Sequence, residues 1–506
     1  MTGKWNYLPL TQEEQKIETA LAQRYASCPP VSQLLVQRGV TSVEEADRFF
    51  NPRLKNLHDP YLMPDMGKAV ERLNRAMGAK EKIMVYGDYD VDGTTAVALV
   101  YKYLSNFYSN IDYFIPTRYE EGYGISSEII DDFAGQGVKL VIILDCGIKA
   151  NEEIAHAREH GIDFIICDHH VPDEELPQAV AILNPKMPGS TYPCPHLSGC
   201  GVGFKFMQAF AQSNGIAQGE LEGMLDLVAV SIAADIVPMV DENRVMAYYG
   251  LRRLNTNPNM GLRAIIRICN LTNREITISD VIFNKDWHKG IIGIVASRLT
   301  ELYYKPAVVL TLVNGLATGS SRSVQGFDIY SAIDSTRDLL ENFGGHTYAV
   351  GLSLKEENIP EFTRRFEQYV ADNILPSQLS PQLEIDAFLT FSELTPEFLA
   401  TLRRFNPFGP GNQKPVFCTR NVMDFGTSKL VGRQMEHIKL ELVDDTSGKV
   451  INGIAFNKSE LFDRIHAGGR FDICYTIEDS KHRGSGSINT IQLQIKEIHM
   501  KDVDKA

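Results

Sequence analysis

Between residues 80 and 240, short apolar runs alternate with stretches whose apolar residues recur at helical spacing. The apolar runs lie at 83–86, 111–115, 140–144, 164–167 and 180–183. Runs this short and this uniformly apolar are typical of strands that are buried on both faces. The alternation therefore predicts an α/β fold, a doubly wound parallel sheet with helices on both faces.

The pattern changes on either side of this region. Residues 1–70 read as a helical lead-in, and residues 71–280 contain the parallel sheet. A second α/β domain is expected at 281–375, with strands at 281–284, 307–312 and 351–354 and helices at 291–304 and 359–370. Residues 380–500 hold five short strands, at 416–418, 439–442, 449–456, 471–477 and 490–497, and one helical piece at 459–466. Glycines and polar turns separate these strands, as is typical of an OB-type β-barrel.

Three acidic residues follow the first strand of the parallel sheet. Asp88, Asp90 and Asp92 occupy alternate positions, and Gly93 lets the chain turn into a helix expected to begin at Thr94. Side chains two apart in extended chain point to the same side, so we expect the three carboxylates to converge. That much negative charge requires cations. The alternative is an acidic loop in which one Asp caps the helix, but a cap needs one acid rather than three.

Acidic residues end three further apolar stretches. Asp145 follows 141–144, Asp168 with His169 and His170 follows 164–167, and Asp235 follows the helical stretch 225–234. Mixed carboxylate and imidazole ligands suit Mn²⁺, and Mg²⁺ when waters complete its coordination. There are enough ligands for two ions that share one carboxylate, an arrangement that hydrolyses phosphoesters. The residues alone therefore predict metal-dependent phosphoester hydrolysis.

Composition and charge narrow the class of protein. The 506 residues are 44% hydrophobic and 23% charged, which is typical of a soluble chain with several domains. The net charge of −14 argues mildly against binding nucleic acid over the whole surface, although a single groove can differ. The chain shows no apolar run near the roughly 20 residues that cross a bilayer, no apolar signal segment and no C-x-x-C pair among its eight cysteines. We expect a cytoplasmic protein with reduced cysteines and no membrane partner.

Longer motifs in the chain are similar to a known family. Asp-His-His at 168–170, with Asp-Tyr-Asp-Val-Asp-Gly at 88–93 and Asp-Cys-Gly at 145–147, resembles the DHH phosphoesterase superfamily. Gly-Gly-His at 344–346 and Gly-Ser-Ser-Arg-Ser at 319–323 resemble its DHHA1 domain. Segments 116–124, 286–293 and 406–412 resemble the RecJ branch. The resemblance implies a 5′→3′ exonuclease specific for single-stranded DNA. It also implies two Mn²⁺ or Mg²⁺ ions, a role in recombination and repair, and a single-strand-binding protein and a helicase as partners.

The resemblance also implies a role for each candidate residue. The implied metal ligands are Asp90, Asp92, Asp145, His169 and Asp235, with Asp145 as the bridge between two ions. The implied catalytic residues are His170, as a ligand or a phosphate-facing residue next to the metals, and Asp88 and Asp168, which hold a ligand or a histidine in place. The implied substrate contacts are Arg118, Arg322 and His346. Relatives often have His where Tyr86 stands, so one ion is expected to be bound more weakly here or with a water in that place.

The barrel has an independent interpretation as a binder of single strands, which combines a cationic groove with stacking aromatic rings. The candidate cations are Lys429, Arg433, Lys439, Lys458, Arg470, Lys481 and Arg483. Among the aromatic residues, Phe408 and Phe425 are candidates for stacking, whereas we expect Phe456 and Tyr475 to lie in the core.

The match to the family breaks between residues 280 and 282. Relatives carry there a Gly-Pro-Arg-Ile-Asn-Ala-Ala-Gly-Arg-like motif and a long connecting helix, which this sequence lacks. Either the sequence omits a segment, or the deletion is real and DNA cleavage is weak although metals bind. Two other functions stay open: a DHH hydrolase of short oligonucleotides or cyclic dinucleotides, and a non-catalytic DNA-binding scaffold. The barrel at 380–500 argues against the first of these.

Overall fold

The computed structural model describes residues 4–7, 9–25, 29–117, 124–268, 296–297, 300, 305–313, 316–375, 378, 382–480 and 490–501. The chain divides into two compact units. One unit comprises Pro52–Leu379 and Gly409–Gly411 and is named the catalytic unit because it contains the predicted metal ligands; the barrel unit comprises Met1–Asn51, Ser380–Phe408 and Asn412–Ala506. The predicted strand at 281–284, most of the predicted helix at 291–304 and the break in the family motif lie outside the described residues.

The elements of both units are numbered along the chain. The helices are α1 (Gln12–Arg24), α2 (Pro29–Val36), α3 (Val43–Phe50), α4 (Met66–Gly78), α5 (Val91–Leu104), α6 (Ser127–Gly135), α7 (Asn151–Glu159), α8 (Gly199–Ser213), α9 (Gly219–Glu222), α10 (Leu225–Ala234), α11 (Asp241–Thr256), α12 (Met260–Ile268), α13 (Ile329–Asp334), α14 (Ile359–Asn373), α15 (Pro396–Arg403) and α16 (Phe462–His466). The strands are β1 (Lys4–Tyr7), β2 (Lys82–Gly87), β3 (Ile111–Phe114), β4 (Val138–Leu144), β5 (Asp163–Cys167), β6 (Ala181–Leu183), β7 (Ala307–Val313), β8 (Leu316–Arg322), β9 (Leu340–His346), β10 (Ala349–Lys355), β11 (Gln382–Ile385), β12 (Ala387–Phe388), β13 (Phe417–Asp424), β14 (Lys429–Val431), β15 (His437–Asp444), β16 (Val450–Ala455), β17 (Phe471–Ser480) and β18 (Thr490–Met500). None of the helices described is long and apolar enough to cross a membrane.

The catalytic unit contains the predicted parallel sheet. Its five strands lie in the order β3-β2-β4-β5-β6, and every neighbouring pair is parallel. Alternate residues of one strand enter different cores: Ile83 and Val85 pack on one face of the sheet, Met84 and Tyr86 on the other. The doubly wound sheet is therefore confirmed, and the carboxyl ends of its strands lie along one edge.

The second part of the catalytic unit is a four-stranded antiparallel sheet, in the order β7-β8-β10-β9. The predicted strands at 307–312 and 351–354 and the helix at 359–370 are confirmed as β7, β10 and α14. Strands β8 and β9 were not predicted, because glycine and serine in their sequences weaken the strand signal. These two strands contain Arg322 and His346.

The barrel unit confirms the predicted OB-type barrel. Five strands close in the order β13-β17-β18-β16-β15, and pairing of β13 with β15 completes the ring. Of the predicted helical lead-in at 1–70, residues 1–51 belong to this unit and the rest to the catalytic unit. Strand β1 pairs in parallel with β11, and Leu34 and Phe50 share a core with Phe398 and Phe405. Residues far apart in sequence thus bury one hydrophobic surface together.

Candidate active site

Three carboxylates mark the carboxyl ends of adjacent strands of the parallel sheet. Asp88 follows β2, Asp145 follows β4 and Asp168 follows β5. All three residues are buried, with 4% or less of their surface exposed. Because parallel strands end at one edge of the sheet, these acids are brought into the crevice where open α/β sheets bind their ligands.

The acidic triplet does not converge in the way its spacing predicts. Helix α5 begins at Val91 rather than Thr94, with Asp90 as its N-cap, accepting a hydrogen bond of 2.9 Å from the Gly93 amide. Asp92 therefore lies in the first helical turn and not in extended chain, and the expected convergence by alternation was wrong. Instead the triplet divides between two potential ligand groups: Asp88 and Asp90 lie with Asp145, and Asp92 lies with His169 and Asp235.

His169 lies where these two groups meet. Its Nε2 is 3.2 Å from Oδ1 of Asp145, 3.5 Å from Oδ2 of Asp235 and 3.8 Å from Oδ2 of Asp92. Its Nδ1 is 3.0 Å from the carbonyl oxygen of Leu197, to which it must donate because a carbonyl only accepts. Nε2 therefore carries a lone pair toward the carboxylates, and burial lowers the pKa of His169 to about 3.

Three buried acceptor atoms at this point lack a hydrogen-bond partner among the described residues. They are Oδ1 of Asp145, Nε2 of His169 and Oδ2 of Asp235. Buried polar atoms are nearly always paired, and lone pairs that face one another at 3.2–3.5 Å repel. The donor set of carboxylate oxygens and one imidazole nitrogen therefore fits a divalent cation.

Asp92 is fixed by the N-terminus of α8. Its two oxygens accept hydrogen bonds of 2.7 Å from the amides of Gly199 and Cys200, and the hydroxyl of Ser231 lies 2.7 Å from Oδ1. Burial, followed by the charges of Asp235 and Asp90, raises the pKa of Asp92 to about 8. The helix end orients the carboxylate, and a cation would offset the repulsion from its acidic neighbours.

Asp145 occupies a strained position. Its φ is 62°, in the left-handed region that residues other than glycine rarely adopt. Burial, with the charges of Asp92 and Asp90, raises the pKa of Asp145 well above its usual value. A Cβ on Gly199 would lie 2.6 Å from both Cβ and Oδ1 of Asp145, so only glycine fits against this carboxylate. The sequence analysis missed Gly199, although Ser-Gly-x-Gly-x-Gly at 198–203 is a signal for a helix N-terminus that receives an anion.

Asp168 orients His170. It accepts hydrogen bonds from the amides of Ile148, His169 and His170, and its Oδ1 lies 2.7 Å from Nδ1 of His170. Burial alone would raise the pKa of Asp168, but the charge of His170 and these hydrogen bonds outweigh burial and lower it. Burial likewise opposes the charge on His170, yet Asp168 raises the pKa of His170 to about 9. In the metal-free protein, these interactions favour an ionised Asp168 carboxylate and a protonated His170 imidazole at neutral pH.

The antiparallel sheet contributes His346 to the same place. Nε2 of His346 lies 3.1 Å from Oδ1 of Asp235, and its ring is stacked on that of His170 with centroids 5.4 Å apart. Gly345 has a φ of 151°, and a Cβ there would lie 2.2 Å from the carbonyl oxygen of Ala349. Glycine is therefore required for His346 to reach the strand ends.

Arg322 shares a row of the antiparallel sheet with His346. Arg322 pairs with Ala349, and Ala349 pairs with His346, so the three lie side by side across β8, β10 and β9. The guanidinium is half-buried and donates to Oγ of Ser320 and to the carbonyl of Ser321. Arg118 lies outside the described residues.

Tyr86 does not lie with the acidic ligands. Its hydroxyl donates a 2.6 Å hydrogen bond to the carbonyl of Gly124, and its ring stacks on Phe114 in the core of the opposite face. The potential ligand groups found among the described residues do not include it.

Cationic and aromatic side chains that the sequence analysis missed line a cleft beside Asp168 and His170. Nζ of Lys149 donates to the hydroxyl of Tyr330 and lies 5.6 Å from the ring centre of Phe343. Lys149 lies between β4 and α7, Tyr330 on α13 and Phe343 on β9. Isolated Lys, Tyr and Phe carry no motif, which is why sequence reasoning passed over them.

In the barrel unit, the four candidate aromatic residues differ in exposure, and Phe456 is not placed as expected. Tyr475 is fully buried, but 47% of Phe456 is exposed, which corrects the expectation that it lies in the core. Its ring rests edge-on against His437, 5.0 Å away. Phe425 is exposed and Phe408 packs against the barrel core. Lys481 and Arg483 lie outside the described residues.

Comparison with known proteins gives three matching domains. Residues 82–232 match the DHH family, N-terminal domain; residues 273–372 match the DHHA1 domain; and residues 385–497 match the RecJ OB domain. The single-stranded-DNA-specific exonuclease RecJ of Bacillus subtilis is 32% identical over 91% of this chain and 67% of its own length.

Solved structures show the same fold. RecJ from Thermus thermophilus in complex with Mn²⁺ matches with a TM-score of 0.78 at 20% identity, covering 99% of this chain and 80% of the other. The complex of that protein with Mg²⁺ matches with a TM-score of 0.72 at 19% identity, over 99% and 79%.

Fold and site together define a DHH phosphoesterase with a DHHA1 domain. The added barrel and the extent of the sequence match narrow this class further. The chain belongs to the RecJ family of single-stranded-DNA-specific exonucleases.

Proposed function

We propose that this protein degrades single-stranded DNA from the 5′ end by metal-dependent hydrolysis of phosphodiester bonds. The observation that carries the proposal is the position of Asp145. It belongs to the ligand group of Asp88 and Asp90, and its Oδ1 also faces His169 of the group that contains Asp92 and Asp235. One carboxylate placed between two ligand groups is what a two-ion centre requires.

Mn²⁺ or Mg²⁺ fits this site, because three of its buried acceptor atoms lack partners among the described residues. We assign Asp90, Asp92, Asp145, His169 and Asp235 as the residues that would hold two ions. When bound, the ions supply an activated water nucleophile and offset the charge that develops at the phosphate. RecJ from Thermus thermophilus, which shares this fold, has been crystallised with each metal.

The other residues act on the DNA strand or on these ligands. His170, which Asp168 keeps protonated, donates a hydrogen bond to a phosphate oxygen. The ring of His346 stacks on that of His170, and its Nε2 contacts Asp235. Arg322, in the same sheet row as His346, binds the next phosphate, for which a planar guanidinium is suited. By family resemblance Arg118 has a similar role, and Asp88 supports the ligand Asp90.

We further propose that the barrel holds the strand that awaits cleavage. Exposed Phe425 and Phe456 can stack on bases, and Lys429 and Lys439, which pair directly across β14 and β15, supply adjacent positive charge. Family resemblance favours action in recombination and repair in the cytoplasm, with a single-strand-binding protein and a helicase as partners. Cross-linking the protein to each candidate partner on a tailed duplex tests those two assignments.

A strand-degradation assay tests the activity. With Mn²⁺, a single strand labelled on its 5′ phosphate should release short labelled products at once, whereas a 3′-labelled strand should shorten progressively, and a blunt duplex should persist. Asp145→Asn should reduce the rate by about 10²–10³-fold, because one side chain serves both ligand groups. Asp112→Asn is the matched control, since Asp112 is an exposed aspartate on β3 of the same sheet.

The outcomes separate the parts of the proposal. An Asp145→Asn variant as active as wild type would contradict the metal assignment. Progressive shortening of the 5′-labelled strand would show that degradation starts at the 3′ end and would contradict the proposed direction. Faster hydrolysis of a dinucleotide than of a long strand would favour a short-oligonucleotide hydrolase.

A further inference from the structure

A separate group of metal-ligating side chains lies on helices α6 and α7. His156 is in the last turn of α7, His160 follows as its C-cap, and Asp131 is on α6. Residues four apart on a helix share one face, so both imidazoles are directed to the same side. Nε2 of His156 lies 2.8 Å from Oδ1 of Asp131, and Nε2 of His160 lies 3.3 Å from the same oxygen.

Two of the separations among the three ligand atoms are close to those that a tetrahedral ion imposes, and all three atoms lie within 4.8 Å of one another. Zinc binds imidazole nitrogen and carboxylate oxygen at about 2.0–2.1 Å, which places neighbouring ligand atoms about 3.3 Å apart. The His160 separation already has this value, and the His156 separation would open by roughly half an ångström. The side chains of His156, His160 and Asp131 are 30%, 39% and 57% exposed, so water can reach the fourth position.

The surrounding charge also favours a cation. Helices α6 and α7 carry six acidic residues, namely Glu128, Asp131, Asp132, Glu152, Glu153 and Glu159, against one arginine, Arg158. None of the three candidate ligands belongs to the strand-end groups described above. Two imidazoles with one carboxylate suit Zn²⁺ and similar transition metals, whereas the carboxylate-rich strand ends suit Mn²⁺ or Mg²⁺.

We propose that Asp131, His156 and His160 form a second, surface metal site that binds Zn²⁺ with a water as fourth ligand. The bound ion ties α6 to α7. The two helices flank the active site in sequence, since α6 begins three residues after Gly124 of the cleft and α7 follows the segment 145–150. The site therefore stabilises the two helices next to the active-site segments and takes no part in hydrolysis.

Chemical protection of histidines tests this site without interference from the catalytic centre. The full-length protein, saturated with Mn²⁺, is treated with diethylpyrocarbonate with and without ZnCl₂, and each modified histidine is identified by mass spectrometry. His156 and His160 should become protected by Zn²⁺. His466 is the matched control, because its Nδ1 pairs with Asp424 at 3.0 Å and no second imidazole belongs to a potential ligand group there among the described residues. Equal modification of His156 with and without Zn²⁺ would overturn the proposal.

Calorimetric titration with ZnCl₂ of the same Mn²⁺-saturated protein provides the second readout. Wild type should bind one more Zn²⁺ than His156→Gln or His160→Gln. Because a single substitution removes a ligand itself, it should weaken that site by more than the roughly 10–100-fold that loss of a supporting residue causes. Both variants should unfold at the wild-type temperature without zinc and lose the zinc-induced rise, while DNA cleavage stays at the wild-type rate. The same zinc stoichiometry in all three proteins would refute the site.

Discussion

The carboxylates of the candidate site differ in how many hydrogen bonds the protein donates to them. Asp168 accepts four hydrogen bonds, and Asp92 accepts two from the α8 amides besides its contact with Ser231. Oδ1 of Asp145 and Oδ2 of Asp235, by contrast, lack such partners among the described residues. Asp168, which is fully hydrogen-bonded, can orient His170, whereas these oxygens of Asp145 and Asp235 can bind a cation.

The Asp168–His170 pair predicts a pH dependence of stability for the metal-free protein. The folded pKa of His170 is about 9, above the unfolded value of about 6.5, so folding favours the protonated ring. Its contribution is fully present below about pH 6.5 and is lost as the pH rises through about 9, with a limiting size of the order of 3 kcal/mol. Urea unfolding in EDTA at pH 6 and pH 9.5 should therefore show a larger pH-induced loss for wild type than for His170→Gln.

The His170→Gln protein is the control for wild type, because every titratable group other than His170 is present in both proteins. Equal losses of unfolding free energy between the two pH values would show that His170 is not protonated in the folded state.

Sequence reasoning at this scale identifies residue types but not their hydrogen bonds. Asp145 and His169 could be found because they directly follow apolar runs. That Asp90 caps a helix while Asp92 faces the next helix end depends on where α5 begins, and alternate spacing suggested extended chain instead. Gly199, which lies against Asp145, comes from a helix more than fifty positions later in the chain. The glycine-rich motif at 198–203 indicates a helix N-terminus, but it does not show which carboxylate lies against it.

At the scale of elements, the N-terminus of α8 is what brings the two strand-end groups together. Its first amides bind Asp92, and its first residue packs directly against Asp145. The glycine-rich start of the helix allows this approach. Similarly, β8 and β9 contain glycines that strand propensity disfavours, yet these residues allow the sheet to present Arg322 and His346 in one row. Strands β8 and β9, which sequence reasoning missed, are therefore adapted to the site at the expense of their local strand propensity.

Gly199→Ala should disrupt the site through this contact. The added methyl would lie 2.6 Å from Oδ1 of Asp145, so either the carboxylate or the helix end must move. We expect Mn²⁺ affinity, measured by calorimetry, to fall by about 10–100-fold, as for other residues that orient ligands. Gly201→Ala on the same helix is the control, since its nearest contact would be 3.3 Å from Oγ of Ser198.

The result expected for Gly201→Ala is a near-normal affinity with a small change in stability. If Gly199→Ala bound Mn²⁺ as tightly as Gly201→Ala, Asp145 would not be positioned by α8, and the proposed bridge would lose its support.

At the scale of the whole molecule, the compact units do not follow the order of the sequence. The described candidate metal ligands lie within Pro52–Leu379, as do Arg322 and His346, whereas the N-terminal helices share their core with the barrel. Phe49 and Phe50 contact Phe405 with ring centroids 5.4 and 5.2 Å apart. Local periodicity predicted the helices and the barrel separately, but no local pattern could show that they bury one surface together.

This division predicts how the chain can be shortened. A fragment of residues 1–379 would expose the apolar faces of α1–α3, including Leu34 and Phe50, which share a core with the C-terminal part of the barrel unit. A fragment of residues 52–379 avoids that exposure and keeps the candidate metal ligands. We expect limited proteolysis to trim 1–379 rapidly to a core that begins near residue 52, and to leave 52–379 largely resistant. In calorimetry both fragments should bind Mn²⁺ as the full chain does.

Affinity for DNA distinguishes the barrel's proposed role from a purely structural one. If the barrel holds the strand, residues 52–379 should bind a long single strand at least about 10-fold more weakly than the full chain, and with a smaller salt dependence because phosphate contacts are lost. Dinucleotide hydrolysis, which needs only the strand ends and the antiparallel sheet, should be unchanged. Equal affinity of both proteins for the long strand would place DNA binding in the catalytic unit alone.

The proteolysis of the longer fragment has its own contradicting outcome. Resistance of 1–379 to proteolysis would show that α1–α3 fold without the barrel. The shared core would then be a docking contact and not a folding requirement.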